Sequence, residues 1–220
     1  MKYRSIFDII GPVMIGPSSS HTAGPVRIGQ LARNLFEREP DNVVVRLYGS
    51  FAETYKGHAS DVAVVGGLLG YETDDPRIPE SLVNAEKRGL KVSFIREDAV
   101  PVHPNTMKLT LRSGSDQMEI TGISIGGGLV QITEIDGFSL RLSGENPALM
   151  VFHKDVYGVI ASVAGIMASS QINISSMEVS RKEKGNIALM AMETDQRVPD
   201  EVVKSISERE NIIRVIRLSE

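Results

Sequence analysis

The sequence predicts an α+β protein in two parts: a mixed α/β domain over residues 1–145 and a ferredoxin-like βαββαβ domain over residues 148–220. Three observations carry this. Apolar periodicity in the last third switches between about two and about 3.6 residues in the order strand, helix, strand, strand, helix, strand. Helix-like and strand-like segments alternate before residue 100, and from residue 101 to the polar break at 143 the texture is β. The polar break Ser143-Gly-Glu-Asn-Pro147 separates the two parts.

Taken in order, Ser5-Ile-Phe-Asp8 suits a short capped turn or helix. Gly16-Pro17 reads as a turn, and Ser20, His21 or Thr22 as the first residue of a helix running to about residue 38. Helical spacing sets Val26, Leu31 and Leu35 on one face and turns Arg27, Gln30, Arg33 and Asn34 outward. The β-rich run 42–48 is a strand. Val62, Val65, Leu68 and Leu69 recur at helical spacing, which puts Gly57-His58 in the preceding connection or at the helix start. Residues 78–88 form a further helix, opened by Pro79 and Glu80 and closed by Gly89. Residues 90–96 read as a strand. Residues 106–112 and 117–124 make a hairpin about the turn 113–116. Gly126-Gly-Gly128 permits unusual backbone angles or a close approach to a ligand, or marks a bend in a sheet. Two more strands, 130–135 and 138–142, flank Asp136-Gly137. In the small domain, strands cover 148–153, 172–180, 187–193 and 212–218. Its helices carry Val159, Ile160, Val163, Ile166 and Met167, and then Val202, Val203 and Ile206. Met177, Met190 and Met192 read as core.

Composition narrows the function. The 220 residues carry 24 Lys and Arg against 28 Asp and Glu, a net charge of −4, which argues against nonspecific nucleic-acid binding. No apolar run reaches membrane-spanning length. The N-terminus has no secretory pattern, so a cytoplasmic protein is expected. Cysteine is absent, which excludes disulfides and a thiolate-held metal in this chain.

The densest chemistry lies in Gly16-Pro-Ser-Ser-Ser-His-Thr-Ala-Gly24. An ordinary N-cap needs one hydroxyl, and this stretch offers four with a histidine among them. Hydroxyls beside the free N–H groups of a helix start suit a small anion such as a carboxylate or phosphate. Of the four histidines, His21 sits in this cluster, His58 stands beside Lys56 and just before Ser60-Asp61, and His103 precedes Pro104-Asn105. His153 ends a strand of the small domain. A serine hydrolase is disfavoured because no Gly-x-Ser-x-Gly elbow occurs. Neither His-Glu-x-x-His nor a phosphate-binding Gly-x-x-x-x-Gly-Lys motif is present.

Gly16–Gly24, Tyr55-Lys-Gly-His-Ala-Ser-Asp61, His103-Pro-Asn-Thr-Met107 and Ser124-Ile-Gly-Gly-Gly128, in that order, resemble the bacterial iron–sulfur L-serine dehydratases, in the form where a separate beta chain exists. The small domain, with Asp155-Val-Tyr-Gly158 and Ile172-Asn-Ile174, resembles an ACT domain. The first domain is also similar, more loosely, to a substrate-binding domain of some phosphoglycerate dehydrogenases. The resemblance implies a lyase that turns L-serine into pyruvate and ammonia by β-elimination, feeding central metabolism, without pyridoxal phosphate. It implies a 4Fe-4S cluster held by a cysteine-bearing alpha chain, and no metal in this chain. His58 would be the general base, with Lys56 and Asp61 as its charged neighbours. Ser18, Ser19, Ser20, His21 and Thr22 would hold the substrate, with His103, Asn105, Ser124, Gly126, Gly127 and Gly128 as further binding residues. His153, Asp155, Val156, Tyr157, Gly158 and Asn173 would form a regulatory amino-acid site, and the ACT domain would self-associate. The alternative is an amino-acid-binding regulatory module with no catalytic role.

Overall fold

The structure is a computed structural model that describes residues 12–218. The turn expected at Ser5–Asp8 lies outside the described residues. The chain forms two compact units, divided between Ile132 and Thr133.

In the first unit a single π-helical turn, Ser19–Ala23, runs into α1 (Gly24–Phe36). Strand β1 (Asn42–Tyr48) is followed by α2 (Gly49–Thr54) and α3 (Ser60–Leu68). A 3-10 turn, Ile78–Glu80, leads to α4 (Ser81–Lys87), and β2 (Lys91–Arg96) returns parallel to β1. The meander β3 (Asn105–Ser113), β4 (Asp116–Gly126), β5 (Leu129–Ile135) and β6 (Phe138–Leu142) gives the sheet order β2-β1-β3-β4-β5-β6, and the division falls within β5, so β6 belongs to the second unit.

One sheet face is apolar because the pairing register lines up its inward residues: Val45 faces Leu109, and Leu109 faces Ile120. The other face is charged, with Arg46 beside Glu97 and Lys108 on Glu119. That alternation is what period-two strands give when a single face is covered. Helix α1 packs on the apolar face, where a Cβ at Gly122 would come within 2.8 Å of Ile28. Val26, Leu31 and Leu35 are buried as their spacing predicts. Helix α3 departs from its expected one-sided pattern. Ala63, Val64, Val65 and Leu68 are all buried, so it is a core helix closed in on nearly every side.

The second unit holds β7 (Ala148–Lys154), α5 (Val159–Ser169), β8 (Ile174–Arg181), β9 (Ile187–Thr194), α6 (Asp200–Ser207) and β10 (Ile212–Leu218). The order β10-β7-β9-β8 and the βαββαβ sequence are those of a ferredoxin-like fold. Leu149, Val151, Met190 and Met192 face Val163, Ile166, Val202 and Ile206 of the helices. The opposite face meets β6, through an edge contact of Phe138 with Phe152 at 5.8 Å. Ser143, in the polar break, donates its N–H and hydroxyl to one oxygen of Glu193 at 2.8 and 2.7 Å. Met177 corrects the core reading: it lies on the edge strand β8 and is 38% exposed, while Met190 and Met192 are fully buried. Alternation told which face it occupies, but not that its strand would lie at the edge of the sheet.

Candidate active site

The π-helical turn is a consequence of its own side chains. Ser18, extended at the N-cap, accepts the His21 N–H on its hydroxyl at 3.2 Å. Gly16 has φ 120°, and a Cβ there would stand 2.3 Å from Thr22 Cγ2, so only glycine lets the loop close over the turn. The other half of the site hangs on Ala59, whose φ of 57° is a left-handed conformation that a residue with a Cβ rarely adopts. It reverses the chain between His58 and α3.

Two reciprocal hydrogen bonds clamp these halves together. Ser60 Oγ donates to the His21 carbonyl at 2.6 Å, and Thr22 Oγ1 donates to the His58 carbonyl at 3.2 Å. The two imidazoles consequently lie 4.9 Å apart, tilted by 43°, with the edge of Phe51 against His21.

The rings are not equivalent. His21 has both nitrogens engaged: Nδ1 with Ser20 Oγ and Nε2 with Ser50 Oγ, each at 2.9 Å. Burial pushes its pKa below the usual histidine range, and the neighbouring His58 adds to this. His21 is therefore neutral at pH 7. The His58 ring makes no hydrogen bond among the described residues, and its Nδ1 is buried without a partner. Lys56 and Asp61 bind each other at 2.7 Å, and that hydrogen bond raises the Lys56 pKa. Asp61 also accepts the Val62 N–H in the first turn of α3. Neither is hydrogen-bonded to the His58 ring.

The remaining residues named from the sequence fall close by. His103 Nδ1 accepts the Asn105 N–H, and Asn105 reaches the Ser124 carbonyl at 3.4 Å. The Pro104 carbonyl takes the Ser50 N–H at 2.9 Å, tying this loop to α2. Gly126, Gly127 and Gly128 all have positive φ, and Gly128 abuts Pro12 and Ala23. Ser124 is fully buried, with an unpaired hydroxyl in the space that a Cβ at Gly24 would fill. Ser50 and Ser60 are what reading the sequence missed. Ser50 lies 29 residues from His21, on a helix with no sequence signal, and only folding makes them neighbours.

In the second unit His153 is buried and its Nδ1 donates to the Lys154 carbonyl at 2.7 Å, leaving Nε2 unpartnered. Asp155 accepts from the Gly185 N–H and from Arg181, both at 2.9 Å, which holds its carboxyl below the usual range. Val156 and Tyr157 are exposed, and Gly158 caps α5 with φ 86°. Asn173 is elsewhere. It bonds Asp195 beyond the end of β9 that pairs with Ile174, whereas His153 pairs with Ala188 near the other end. Some six residues of strand, about 20 Å, separate them.

Residues 5–134 match the family described as serine dehydratase beta chain, and residues 148–211 match the ACT domain. The chain belongs to the serine dehydratase beta chain family. It is 56% identical to a probable L-serine dehydratase beta chain of Bacillus subtilis (strain 168) over 220 residues, all of both chains. It is 35% identical to an L-serine dehydratase beta chain of Peptoniphilus asaccharolyticus, over 94% of each. Against L-serine dehydratase 2 of Escherichia coli (strain K12) the identity is 30%, covering 83% of this chain and 46% of that one. The expected two-part α+β fold with a C-terminal ACT domain stands. A serine dehydratase's iron–sulfur cluster does not fit this beta chain's own donors. The sequence has no cysteine, and no group of three His, Asp or Glu among the described residues could hold a metal.

Proposed function

We propose that this beta chain completes the catalytic site of an L-serine dehydratase and supplies its α-proton base. The observation that carries this is the asymmetry of the histidine pair. His21 is neutral, with both nitrogens held by serine hydroxyls, while the His58 ring is fixed beside it with no hydrogen bond of its own. A general base needs a nitrogen free to take the proton, and the His58 ring, packed on His21 with no hydrogen bond of its own, supports that assignment.

In this reading the hydroxyls of Ser18, Ser19, Ser20 and Thr22, with His21, hold the carboxylate and amine of L-serine. His103 and Asn105, with the Gly126–Gly128 backbone, would line the same cleft, with the buried Ser124 behind them. His58 takes the α-proton. The β-hydroxyl leaves as hydroxide, which makes water with the proton that His58 took, and the resulting enamine tautomerises and hydrolyses to pyruvate and ammonia. Lys56 and Asp61 set the charge beside His58. The 4Fe-4S cluster implied by the family would need cysteines of the alpha chain.

Self-association belongs to the same proposal. Because His153 and Asn173 lie at opposite ends of one sheet, a small amino acid touches both only where two ACT domains pair.

Anaerobic pyruvate formation from L-serine tests the reading. It is expected from the beta chain mixed with its reconstituted alpha chain, and from neither alone. His58→Ala should lower kcat by about 10²-fold or more with the complex intact. Near-normal turnover in that variant removes His58 as base. An inactive mixture with a formed complex and intact cluster favours the regulatory-module alternative.

A further inference from the structure

Residues 97–104 link β2 to β3 beside the histidine pair. At the tip, Val100 is 95% exposed and Val102 fully exposed, yet the residues around them are fixed. Pro101 packs toward Gly49, where a Cβ would stand 3.3 Å from its Cγ. The Pro104 carbonyl holds the N–H of Ser50, and Ser50 holds His21. A third valine, Val13, is 79% exposed and follows Pro12, which packs at Gly128 beside Ala23. A lone exposed valine needs no explanation. Val13, Val100 and Val102 each stand on a segment pinned to a wall of the site, and exposed apolar side chains held in place there suit a contact surface.

The family's chain lengths say what covers it. In L-serine dehydratase 2 of Escherichia coli the matched region is 46% of the polypeptide, so more than half of that protein lies outside it. In the relatives named beta chains it is 100% and 94% of the whole. On the subunit reading, what that remainder contributes comes to the beta chains from a separate polypeptide, which must reach the same cleft. We propose that Val100 and Val102, with Val13, form the docking surface for the alpha chain. This rests on the subunit reading above. From Ala99 to Asn105 the loop carries no carboxylate, lysine or arginine, so the contact is apolar and its affinity should change little as salt is raised.

The test titrates purified alpha chain into the full-length beta chain by calorimetry. Val100→Ser with Val102→Ser should weaken binding at least ten-fold, with an unchanged Tm and unchanged NMR signals of His21 and His58. Val102→Asp alone should weaken it further. Val83→Ser, at an exposed position on α4, should have no effect. Equal affinity of the double variant and the native chain overturns the docking surface and leaves the subunit reading standing. A matching loss in Val83→Ser overturns it too. So does weakened beta–beta association with alpha binding unchanged, since a second copy would then be the occupant. No binding by the native chain removes both proposals.

Discussion

His21 has no spare hydrogen-bonding capacity, and that decides its chemistry. Its folded pKa lies below the unfolded value of about 6.5, so folding favours the neutral ring. This contribution to stability is fully present above pH 6.5 and is lost as pH falls through the folded pKa. An NMR titration should place the His21 midpoint below 6.5, and His58→Gln should move it upward by removing the neighbour's charge, leaving only burial. A midpoint unmoved by that change would dismiss the coupling. Ser50→Ala strips Nε2 of its partner, worth about 1 kcal/mol, or about five-fold in kcat with the alpha chain present. Ser50→Thr, which keeps the hydroxyl, should retain most of the activity. Ser124 predicts the reverse kind of result. Its hydroxyl is buried and unpaired, so Ser124→Ala should leave Tm unchanged or raise it.

At the scale of elements, the site depends on how closely α1 and α3 approach. A Cβ at Gly29 would lie 2.3 Å from the Val64 carbonyl, and one at Gly67 would lie 2.0 Å from the Val26 carbonyl. The two helices touch backbone to backbone through reciprocal glycines. One helix continues from the turn bearing His21, and the other starts two residues after His58. Gly67→Ala must therefore spread the helices, at a cost of about 3 kcal/mol, the upper end for overpacking. It should also part the two imidazoles. At Gly66 a Cβ would meet side chains rather than backbone, the Ser81 hydroxyl at 3.0 Å and Ile78 Cγ1 at 3.3 Å, and these can shift. Thermal melts should show a much smaller loss for Gly66→Ala, and equal losses would refute the close-packing account.

For the whole molecule, the second unit exposes the edge strand β8 with Met177 and Val179 uncovered at 38% and 41%. An apolar edge of this kind invites pairing with a second copy. If the ACT domains self-associate there, Val179→Lys should shift sedimentation toward the monomer without lowering Tm. Calorimetry should then show amino-acid binding to the full chain, weakened by the same substitution, because the His153 and Asn173 ends no longer meet. Binding that survives in a monomer would place the ligand site within one copy.

The sequence by itself determined every strand of the described chain to within about two residues, the order of the βαββαβ unit, and the hydroxyl-and-histidine stretch. These follow from local periodicity, turn residues and caps, which act over a few neighbouring positions. It also determined that these 220 residues offer no thiolate to a metal. Helix α2 was not legible, because Gly49-Ser-Phe-Ala-Glu-Thr54 is short and lacks a periodic apolar face. Only the tertiary structure decided that Ser50 would hold His21, that Ser60 and Thr22 would each bond the other histidine's carbonyl, and that Asn173 would lie far from His153. The three pairings join residues 29 to 39 positions apart. Their geometry comes from a close helix crossing and a strand register, which chain-local signals do not encode.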